Sequence, residues 1–194
     1  NSAKGLVDSA ERQALASTAT IAIEKVLREV RRALPNSVRN FEDDGNSCLE
    51  LVPILHSSEY VSIPIAAAET KFDAIKFVTA SGTESGYVAV YPNSINSVYS
   101  ANQAISTNKA TAGVVNIPGP ELQEILFNGG SLYRFLTDSP GKRFFLVDEP
   151  ISFCEDSNGR LWRYQDYGFH LDSTSSIPTS GSDRLLIADS LQQN

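Results

Sequence analysis

From Leu6 to Leu34 apolar residues recur at steps of three and four: Leu15, Ala19, Ala22, Ile23, Val26, Leu27, Val30, Ala33 and Leu34. That period predicts one stripe of an amphipathic helix, stopped by Pro35. Glu11, Arg12, Glu24, Lys25, Arg28, Glu29, Arg31 and Arg32 fill much of the remaining surface. A helix over this span is about 43 Å long, close to the diameter of a compact domain of this size. The stripe is dense only from Ala19 onward, because Ser17, Thr18, Thr20 and the small Ala10 and Ala14 dilute the first half. The second half is therefore expected to lie on a sheet. The first half, with Leu6, Val7, Ala10, Ala14 and Leu15, is expected to project toward a partner.

Beyond Pro35 the period changes from helical to extended. An extended segment is predicted to start at Val38–Phe41, with strands over Cys48–Leu55, Glu59–Ile65, Lys71–Thr79 and Gly86–Tyr91, where Leu, Val, Ile and Tyr concentrate and Pro53, Pro64 and Pro92 mark edges or breaks. Asn93 to Lys109 turns to Ser, Asn, Thr and Ala and reads as irregular, with a short strand around Val98–Tyr99. Val114–Ile117 reads as a short strand and Glu121–Phe127 as a short helix. Arg143–Val147, Ile151–Glu155 and Arg160–Tyr164 form the most ordered block, and Asn158-Gly159 predicts a type I′ hairpin placing Phe153 opposite Tyr164 and Glu155 opposite Trp162. Gly168–Asp183 reads as loop and Arg184–Ala188 as a last strand. One long helix followed by antiparallel strands is an α+β layout, the helix (6–34) packed on the sheet of a β-rich head (38–194), with residues 1–5 set aside as a candidate cloning remnant.

Composition narrows the function classes. With 194 residues and 41% hydrophobic content the chain can bury a sizeable core as one domain. A net charge of −7 lacks the basic footprint of a nucleic-acid surface. The one basic cluster, Lys25, Arg28, Arg31 and Arg32, sits in the last turns of the predicted helix, where cations favour the dipole. The absence of methionine implies that the chain is preceded by other coding sequence or is processed.

Chemistry is sparse. Cys48 and Cys154 are too far apart for a CxxC motif, and two Cys with His56 and His170 do not make a zinc site. In an exported protein they are candidates for one disulfide, worth roughly 4–5 kcal/mol in the chain-entropy model, against the alternative of two unrelated buried thiols. Glu42-Asp43-Asp44-Gly45-Asn46 has its carboxylates adjacent rather than alternating, so it reads as a turn and not as a calcium loop. Gly82-Thr83-Glu84-Ser85-Gly86 puts serine one place off the nucleophile-elbow pattern. No catalytic, cofactor or metal residue is assigned. Trp162, Tyr164 and Tyr167 fit either a packed hairpin or a sugar-stacking platform.

Val7-Asp8-Ser9-Ala10-Glu11-Arg12-Gln13, leading to Leu27-Arg28-Glu29-Val30-Arg31-Arg32-Ala33-Leu34-Pro35-Asn36-Ser37-Val38-Arg39, resembles the post-membrane helix of type IV pilin-like proteins. Cys48-Leu49-Glu50 with Val52-Pro53-Ile54, Ser139 through Val147, and Ile151-Ser152-Phe153-Cys154 through Leu161-Trp162-Arg163-Tyr164 resemble later stretches of the minor pilins of mannose-sensitive haemagglutinin (MSHA) pili. The likeness implies a pilin-like fold, a cleaved and N-methylated prepilin leader, and an apolar segment holding the protein in the inner membrane from the periplasmic side; neither is present in these residues. It implies a non-enzymatic subunit that helps initiate or cap a pilus, with other minor pilins and the major pilin as partners of the helix. A pseudopilin of type II secretion shares the same resemblance, and an exported carbohydrate-binding or adhesin domain using Trp162 is the alternative from another class. Family members usually continue past Leu185–Asp189 into further strands, so a sheet edge is expected to be open here.

Overall fold

The computed structural model describes residues 2–43, 45–77, 85–99, 109–115, 121–171 and 183–189. Among the described residues helix α1 (Ser2–Val30) is followed by eleven strands: β1 (Arg39–Asp43), β2 (Asn46–Leu51), β3 (Ile54–Ser62), β4 (Lys71–Ile75), β5 (Ser85–Val90), β6 (Lys109–Val115), β7 (Leu122–Phe127), β8 (Arg143–Val147), β9 (Ile151–Glu155), β10 (Leu161–Tyr164) and β11 (Arg184–Ala188). A short helix α2 (Ile95–Tyr99) lies between β5 and β6. The class is α+β, with two separate antiparallel sheets.

The first sheet runs β1-β2-β9-β10-β11, and the second closes on itself as a six-stranded barrel, β3-β4-β7-β6-β5-β8. Closure leaves the barrel no edges, and at six strands the interior is filled by side chains. Its centre is aromatic. The Phe72 ring meets Phe144, Phe135 and Tyr60 edge-on at centroid distances of 5.4, 6.2 and 6.3 Å. Val88, Val90, Ile125, Phe127 and Leu146 complete the core. Gly86 lies where β5 passes β8, and a Cβ there would sit 2.6 Å from the Val147 carbonyl oxygen, so the approach of the two backbones requires glycine.

The outer face of β5 and β8 is covered as well. Ala89 and Val147 turn away from the barrel interior and pack with Leu34, Val52, Val98, Tyr99 and Phe169. The second half of α1 and the turn after it seal the open sheet, Val26 and Val30 with Ala33 beyond the helix meeting Leu51, Ile151, Phe153, Leu161 and Ile187.

Several boundaries differ from the sequence reading for local reasons. The helix ends at Val30 rather than Leu34. Its last turn tightens, with Arg32 and Ala33 N–H donating to the carbonyls of Glu29 and Val30, and the chain then ties into the Pro53 corner through Leu34 N–H to Val52 O (2.8 Å) and Ile54 N–H to Arg32 O (2.9 Å). The break between β2 and β3 falls at Val52-Pro53 and not at His56–Ser58. Glu121–Phe127, read as a helix, is strand β7: Gln123, Ile125 and Phe127 are buried while Leu122 and Leu126 are exposed, a period of two in a run too short for periodicity to decide. Val98–Tyr99, read as a strand, closes α2, whose start is fixed by reciprocal bonds between the Ser94 and Ser97 hydroxyls and each other's backbone N–H, both 3.2 Å.

The β9–β10 hairpin register is one residue off the predicted one: Phe153 opposes Arg163, Cys154 opposes Trp162 and Glu155 opposes Leu161. The loop is longer than a two-residue turn. Gly159 N–H bonds to Asp156 O (3.0 Å) and Gly159 takes φ 70°, a turn followed by a left-handed residue instead of type I′.

Candidate functional site

Alanine, leucine, glutamate and arginine, all strong helix formers, make α1 continuous despite its polar insertions. The hydroxyls of Ser17 and Thr20 are satisfied inside the helix, donating to the carbonyls of Gln13 and Ala16 at 2.9 and 2.8 Å. Burial divides the helix. Every residue from Lys4 to Ala14 is exposed, Leu6 at 72% and Val7 at 55%, and Leu15 is the first half-buried position. Ala22 is buried against the sheet. Along the second half lies an apolar groove of about 320 Å³ lined by Ala19, Ala22, Ile23, Val26 and Leu27 on the helix and Leu161 at the start of β10. Ile21, Ile23 and Leu27 remain 44–58% exposed around it.

Leu6, Val7, Ala10, Ala14 and Leu15 thus share one element, but not one face. At 100° per residue Val7, Ala10 and Ala14 line up with Ile21, whereas Leu15 points with Val26 toward the sheet. Among the described residues no helix is long and apolar enough to cross a membrane.

Cys48 and Cys154 stand directly opposite each other on β2 and β9 and are joined by a disulfide, packed with Phe41 and Tyr164 and flanked by Trp162 and Tyr167. Trp162 is half-buried against the disulfide cluster. Its Nε1–H donates to Asp156 Oδ2 (2.9 Å), and the Arg184 guanidinium lies 4.4 Å from the ring centroid. Asp156 Oδ1 accepts from the N–H of Asn158 and Arg160, so this carboxylate organises the hairpin loop.

A buried polar cluster at the join of sheet and barrel was not singled out by sequence. Glu50, 2% exposed on β2, pairs with Arg39 on β1 and accepts from Tyr167 Oη (2.8 Å). Because the Tyr167 hydrogen is committed to Glu50, Ser152 Oγ donates to Tyr167 Oη at 2.5 Å. Arg39 also donates to the carbonyls of Leu171 and His170, both 2.7 Å, and lies 3.6 Å from the centroid of Tyr99, whose hydroxyl donates to Ser37 O (2.6 Å). Burial first, and then the Glu50 charge, pushes the Tyr99 and Tyr167 phenols well above their ordinary range. Each partner is satisfied by another, so the cluster binds the Tyr167–Leu171 segment in place and offers no free group for chemistry. The available signal was a glutamate at an inward position within the apolar run of β2.

The histidines are separately engaged. His56 stacks on Phe77 at 4.7 Å, and His170 Nε2–H donates to Tyr167 O (2.7 Å). Among the described residues no group of three or more His, Cys, Asp or Glu could hold a metal ion. Asp44 of the acidic turn and residues 82–84 of the serine motif lie outside the described residues. What the arrangement offers is a contact surface: an exposed half-helix, a groove beside it, and a cross-linked head. No protein-family model, curated protein or solved structure matches the chain.

Proposed function

We propose that the chain is the periplasmic part of a minor pilin of the MSHA type, similar to MshO, in which a pilin-like fold carries a head on an N-terminal helix and helps initiate or cap a filament. The observation that carries this reading is the division of α1: every residue from 4 to 14 is exposed, although Leu6 and Val7 are apolar. Leaving such side chains in water forfeits about 1.5–3 kcal/mol each relative to burial, so a partner helix covering them has a driving force. In this reading the partners are neighbouring minor pilins and the major pilin, and a preceding apolar segment holds the subunit in the inner membrane. The head contributes shape, not catalysis.

Deleting residues 6–17 tests the division of labour. The shortened protein is expected to unfold cooperatively, with a midpoint close to that of the full chain, yet to fail to co-purify with its pilin partners from the periplasm. Persistence of co-assembly refutes the assignment of the helix as the assembly element. Loss of cooperative unfolding refutes the independence of the head.

A further inference from the structure

We draw no further inference here: the strongest candidate, the apolar groove along the second half of α1 lined by Ala19, Ala22, Ile23, Val26, Leu27 and Leu161, carries nothing because nothing in the structure shows what covers it.

Discussion

Replacing Arg39 by Ala removes, in one step, the charge partner of a carboxylate that is 2% exposed and two hydrogen bonds that bind Tyr167–Leu171 to the sheet. Glu50 keeps the Tyr167 hydroxyl, and the carbonyls of His170 and Leu171 lose donors 2.7 Å away. Truncating one member of a buried ion pair costs about 3–5 kcal/mol, because the other charge is left uncompensated. The two lost charge-assisted bonds add to this, offset where water reaches the vacated space, so a total of about 4–6 kcal/mol is expected. For a domain whose whole stability is about 5–15 kcal/mol this is a large fraction. The Arg39→Met, Glu50→Leu double variant removes both charges together and should lose only about 1–2 kcal/mol. Guanidinium unfolding followed by Trp162 fluorescence and far-ultraviolet circular dichroism measures all three proteins. A loss below about 1 kcal/mol in Arg39→Ala, or a double variant as unstable as the sum of its singles, refutes the view that Glu50 depends on this one cation.

Two further outcomes follow from the same structure. Replacing both Cys48 and Cys154 by Ala opens a cross-link spanning a sequence separation of 106 and is expected to cost about 5 kcal/mol in the chain-entropy model; a change below about 1 kcal/mol in denaturant unfolding would show that the unfolded chain is not appreciably constrained by the bond. Stability is also expected to fall at alkaline pH. Tyr60 is pushed up to about 12, by burial first and then by its hydrogen bond to Asp138. The unfolded phenol ionises near its ordinary value of about 10, so the folded state holds a proton that the unfolded state releases, and stability declines as pH rises from about 10 to about 12. Tyr60→Phe should make that decline shallower without abolishing it, because the Tyr99 and Tyr167 phenols, also pushed up by burial, release their protons on unfolding as well, and a parent profile unchanged between about pH 9 and 11 in denaturant titrations would contradict the sign.

Much of the strand content was legible because Arg143–Val147, Ile151–Glu155 and Arg184–Ala188 are short apolar runs bounded by charged or turn residues, and each is a strand in the fold. The α+β class followed from a long helical period succeeded by period two. The closed barrel was not legible. Its closure depends on β3 pairing with β8 across some eighty residues, and nothing local in Ile54–Ser62 names that partner. β7 was misread for a related reason: an apolar run of six residues fits either period until its neighbours are known. The hairpin register failed on the Asp156 side chain, which bonds the N–H groups of Asn158 and Arg160 and lengthens the loop beyond what Asn-Gly alone implies. Glu50 was overlooked because an acidic residue in a strand ordinarily faces water. Its satisfaction comes from Arg39 and from Tyr167, the latter 117 positions away.

The interleaving of the two sheets has a consequence for how the chain reaches this state. Strands β1 and β2 come before the barrel and β9 to β11 after it, so to the open sheet the barrel is an insertion, and its two ends meet where Leu51 opposes Ile151 and Asp148 N–H bonds to Pro53 O at 3.0 Å. Pairing β2 with β9 in a disordered chain requires closing the whole of residues 52–150. Once the barrel has formed, the effective loop is roughly tenfold shorter, which lowers the closure cost by about 2 kcal/mol. The barrel therefore serves as a staple in time as well as in space: its assembly delivers Cys48 and Cys154 to one another, and oxidation then records that the insertion has folded.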